Sequence, residues 1–72
     1  MKSYKVYLTK SYDVAELISK AYETEFGKVE RVKYGMCDSF NEVPEVYKGQ
    51  KYCACIVEYK DPERERYDLI FA

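Results

Sequence analysis

Ten residues set the terms on which the rest of this chain must fold. Lys51 to Lys60 reads Lys-Tyr-Cys-Ala-Cys-Ile-Val-Glu-Tyr-Lys; extended, its centre is apolar on both sides, with Cys53, Cys55 and Val57 on one and Ala54 and Ile56 on the other. Side chains alternate across a strand, so such a segment needs cover above and below and belongs inside a sheet. The whole chain has 72 residues with which to supply that cover. A chain of this size buries only about 60% of the surface it exposes when unfolded, so the core is thin. It nevertheless has the means to fold: 47% of residues are hydrophobic, and 9 Tyr and 3 Phe supply the apolar area that disordered chains lack.

The remaining pattern describes one domain over residues 1-72, without repeat, low-complexity stretch or linker. Tyr4 to Lys10 alternates Tyr4, Val6 and Leu8 against Lys5, Tyr7 and Thr9, a period of two that predicts a strand. A helix follows. Asp13 is placed to cap it, Glu16 to complete a capping box, and Tyr12 with Leu17 to form a hydrophobic staple. Val14, Leu17, Ile18, Ala21, Tyr22 and Phe26 then recur at helical spacing as the buried stripe, Glu16 and Lys20 pair on the wet side, and Gly27 ends the helix. Lys28 to Cys37 predicts a second strand, with Val32, Tyr34 and Met36 on one face and Arg31, Lys33 and Gly35 on the other.

Asp38 to Gly49 is a loop punctuated by Pro44 and Gly49, long for so small a domain. After the strand from Lys51 to Lys60, the segment Asp61-Pro62-Glu63-Arg64 has turn chemistry and leads into a last strand, Arg66 to Phe71. The same residues also suit a helix start, with Asp61 as cap and Pro62 in the first turn. The hairpin is the reading adopted, because a lone helix of about ten residues is marginal in water. The expected fold is α+β: a small β-α-β-β-β domain, mainly antiparallel, with one helix packed on one face.

Chemistry is scarce. The chain has no histidine, which removes the commonest general base and any activation of its serines as a hydrolase triad. Three glycines cannot build a phosphate loop, and Cys37, Cys53 and Cys55 without histidine fall short of a four-ligand zinc site. An odd cysteine count argues against a disulfide framework and for a reducing, cytoplasmic setting. No apolar run reaches a membrane span, and the opening Met1 to Leu8 reads as strand rather than signal peptide. Net charge is −1, which excludes binding by bulk positive field. The expectation is a non-enzymatic binding protein with no cofactor and no metal.

Two surfaces compete for that role. Val6-Tyr7-Leu8, Phe26-Gly27-Lys28-Val29-Glu30-Arg31-Val32 and Val57-Glu58-Tyr59-Lys60-Asp61-Pro62 resemble the first strand, the helix-to-strand junction and the third-strand end of the RNA recognition motif. The resemblance implies a ferredoxin-like sheet with a nucleic-acid face carrying Lys5, Tyr7, Arg31, Lys33 and Tyr52. It departs from the family where two further stacking aromatics fall on Ala54 and Ile56, and where the ten residues after Pro62 leave no room for a second helix and another strand. The other surface follows from the hairpin. It pairs Glu58 with Tyr67, Ile56 with Leu69 and Ala54 with Phe71, collecting Ile56, Tyr67, Leu69 and Phe71 on the side away from Cys53, Cys55 and Val57. One helix hides one face, so either that tyrosine-rich patch binds a protein or a second copy, or the loop carrying Phe40, Val43 and Tyr47 covers it. In kind, a small chain without catalytic groups resembles the inhibitors encoded by phages and mobile elements.

Overall fold

A computed structural model describes residues 2–24 and 29–72. It is an α+β domain of β1 (Lys2–Thr9), α1 (Tyr12–Glu23), β2 (Val29–Met36), β3 (Cys53–Lys60) and β4 (Tyr67–Phe71). The four strands form one mixed sheet in the order β2-β3-β1-β4, with the helix packed against it.

The doubly apolar segment lies inside the sheet, as its composition requires. β3 runs antiparallel to both β1 and β2, and Cys53 through Val57 are all buried. β1 and β2 are therefore parallel, joined over the sheet by α1 with β3 inserted between them, a split β-α-β unit loosely compatible with a ferredoxin-like arrangement.

The predicted hairpin does not form. Both edges of β3 are already taken, so the chain turns at Asp61–Arg66, passes β1 and pairs parallel to it on the far side. Asp61 Oδ1 accepts from the N–H groups of Glu63 and Arg64, and buried Ser3 ties the crossing down. Its Oγ accepts from the Arg66 N–H at 2.9 Å and donates to the Arg64 carbonyl. The face assignments survive because the interposed β1 keeps the rows in step. Ile56, Val6 and Leu69 share one row, and Ala54, Leu8 and Phe71 the next. β1 is thus a second strand buried on both sides, with Ser3 and Thr9 sealed beneath the helix side.

The helix is capped two residues before the expected position. Ser11 is the N-cap, its Oγ accepting the Asp13 N–H at 3.1 Å, and Glu16 accepts the Tyr34 hydroxyl instead of closing a capping box. The buried stripe is rotated as well: Ala15 and Ser19 are buried, flanked by half-buried Ile18 and Tyr22, while Leu17 is 66% exposed and Ala21 faces solvent. Small residues let the helix lie close on Cys53, Cys55 and Val57, and this outweighs the larger apolar area of the neighbouring stripe. Tyr12, placed by sequence as a staple for Leu17, is exposed and lays its ring against Tyr34 at 5.4 Å. Expected contributions of Phe26 and Gly27 lie outside the described residues.

Candidate functional site

The loop decides which surface is left for a partner. It crosses the sheet face opposite the helix and is held at both margins. Over β2, Phe40 sits beneath the Lys33 ammonium, 5.5 Å from the ring centroid, and Lys33 bonds Glu42 at 2.8 Å. Over β4, Tyr67 donates its hydroxyl to the Glu42 carbonyl and Tyr47 packs edge-on to Phe71 at 5.5 Å. Between these points Val43 and Cys37 are buried with Val6, Leu8, Ala54 and Ile56, and Phe40, Tyr47, Tyr52 and Leu69 pack around them.

Two 3-10 turns, Cys37–Ser39 and Glu45–Tyr47, give the loop its shape. Asp38 closes it by accepting the Gly49 N–H at 2.9 Å. That backbone bond, with help from the Cys37 thiol, holds the Asp38 carboxyl below its ordinary range. Partial burial alone would raise Glu42, but the Lys33 ammonium more than offsets it and the carboxyl is held low. Gly49 has φ +81, a left-handed conformation that side chains disfavour.

The protein-binding residues read from sequence therefore part company. Ile56 is 1% exposed, sealed under the loop and out of reach of any partner. Leu69, Phe40 and Tyr47 are half-buried in the same core. Tyr67 and Phe71 remain 47% and 59% exposed at the outer margin. Val46, expected from the sequence to fold back onto the body with Phe40, Val43 and Tyr47, is instead 70% exposed in the 3-10 turn beside Tyr47.

The basic and aromatic residues expected on one face do not share one. Lys5 and Tyr7 lie on the helix side, in rows with Val57 and Cys55, and Tyr7 meets the Tyr22 hydroxyl at 2.5 Å under α1. Arg31 and Lys33 lie on the loop side, and Tyr52 packs edge-on to Tyr47 there. The structure thus does not assemble the open stacking platform implied by the family resemblance.

Burial pushes the Cys55 thiol up to about 11 and raises Cys37 too, away from the thiolate a nucleophile needs. Two surface depressions, of about 190 and 300 Å³, lie beside Tyr22 and Val32 and around Pro62. They fall at or below the small end of ligand pockets. Among the described residues no helix is long and apolar enough to cross a membrane. No family model, curated protein or solved structure matches the chain.

Proposed function

We propose that this protein works by binding another polypeptide, as a modulator or inhibitor of it or as a self-associating unit, through the rim where the crossing loop meets β4. The supporting observation is the composition of that rim. Tyr67 and Phe71 are exposed on the outermost strand of the sheet and Val46 in the loop beside Tyr47, whose ring meets Phe71, while Phe40, Tyr47, Tyr52 and Leu69 pack against the core. Tyr and Phe carry large contact area on few rotatable bonds and are enriched at protein interfaces. The absence of histidine and the raised thiols weigh for binding over catalysis.

Site-specific photocrosslinking tests the reading in the native cell. A photoreactive side chain at Phe71 is expected to yield discrete protein adducts, and the same group at exposed Lys20 on the outer helix face is expected to yield none. Equal labelling from the two positions, or no adduct from Phe71, overturns it.

A further inference from the structure

The two margins of the sheet are built differently. β2 has a bulge between Val29 and Arg31 and carries Glu30, Arg31 and Lys33, features that discourage a strand from adding there. β4 has no bulge, no proline and no lysine, and reads Tyr-Asp-Leu-Ile-Phe. Its hydrogen-bonding parity follows from its ends. The Arg66 carbonyl accepts from Tyr4 N–H, and the Ala72 N–H donates to the Leu8 carbonyl, both at 2.9 Å. Alternate residues of a strand address the same neighbour, so Asp68 and Ile70 also point their backbone toward β1. Tyr67, Leu69 and Phe71 then direct their N–H and C=O groups outward, where no described strand lies.

Those three positions are self-complementary. We propose that the rim's partner is a second copy of this chain, joined antiparallel through β4 about a two-fold axis at Leu69, so that two four-stranded sheets become one of eight. This inference rests on the binding reading above. In this register Tyr67 of each copy faces Phe71 of the other and Leu69 faces its own symmetry mate. All three are hydrogen-bonded pairs, and every outward group is used. The aromatic pairs extend the exposed ring surface of both copies on the loop side. On the helix side Asp68 faces Ile70. Shifting the axis by one residue to Asp68 sets two carboxylates against each other, whereas the axis at Leu69 keeps them apart. Charge selects the register. The net charge of −1 adds little repulsion between copies.

Sedimentation velocity on the full chain, from micromolar to millimolar concentration, tests the proposal. The expected result is a reversible doubling of mass. Phe71→Pro deletes an outward N–H while leaving the ladder to β1 in place, and is expected to hold the protein at the monomer with its circular dichroism unchanged. Two charge variants read the register. Ile70→Lys places a cation opposite Asp68 twice per dimer and tightens association about two- to thirtyfold at low salt. Ile70→Asp weakens it by a similar factor. A monomer throughout the range, a dimer indifferent to Phe71→Pro, or two charge variants that move together each overturn the second-copy proposal. If the protein stays monomeric while Phe71 crosslinks to a different protein, only the second copy is lost. If Phe71 yields no adduct at all, the rim reading falls with it.

Discussion

The two sides of this sheet are closed by different means. On one, a regular helix lowers Ala15 and Ser19 onto cysteines and valines, with tyrosine hydroxyls bonded at its margins to Tyr7 and Glu16. On the other, an irregular segment reaches Val43 into a cluster of Val6, Leu8 and Ile56 and is moored by carboxylates. The helix satisfies its backbone internally and needs only a close fit. The loop bonds part of its backbone through two short turns, at Phe40, Val43, Tyr47 and Lys48, and Asp38 and Glu42 add side-chain ties that hold it over the larger aliphatic core. The lesson is that a small sheet can be covered twice with one helix, provided the second cover is fastened by charge.

The largest test of that contrast is Ile56→Ala. The side chain is sealed beneath the loop, and its loss is expected to cost about 2–5 kcal/mol by urea unfolding. Val43→Ala comes next, at about 2 kcal/mol for two buried methyl groups and the space they leave. A Val43 variant as stable as the parent would mean that the segment merely rests on the sheet.

Acid separates the two sides further. Asp38 and Glu42 titrate below their ordinary 3.8 and 4.5, so the native state binds fewer protons than the unfolded one. Their contribution is full above those ordinary values and is lost as pH falls through the lower folded ones. Methyl resonances of Val43 are expected to shift before those of Ile18 in an acid titration, and Asp38→Asn should flatten that limb. The alkaline limb has the opposite sign. Hydrogen bonding to Glu16, and then to Tyr12, raises Tyr34 to about 12, and burial raises Cys55 to about 11. Their stabilisation is full below their ordinary 10.0 and 9.0 and fades as pH climbs to the raised values. The smallest effect is expected at Leu17→Gln. With the side chain 66% exposed, stability should change by no more than about 0.5 kcal/mol, whereas a core position would respond several-fold more.

Leu17 also shows where a sequence stops being informative. The existence of α1 was readable from spacing, but the buried stripe was not, because the most hydrophobic side chains are not those that permit the closest approach. Ala15 and Ser19 win by being small. β3 was legible throughout, since a segment apolar on both faces has one kind of home. The hairpin was not, because pairing is a non-local choice and alternation looks the same whether two strands touch or have a third between them. Tyr67, Leu69 and Phe71 were assigned to the correct side for that reason, though to the wrong neighbour. The covering loop was one of two readings that Phe40, Val43 and Tyr47 allowed; only their contacts with Ile56 and Leu8 distinguish it. The site residues divided accordingly, into those the loop consumes and those left at its margin.

One consequence of the strand order concerns time rather than space. β1 is made first, yet both strands beside it, β3 and β4, come from the last third of the chain. Translation at about 5–20 residues per second leaves it waiting several seconds with its apolar positions unpartnered. Its own strand pairings then form between segments distant along the chain, the pattern associated with slow-folding topologies.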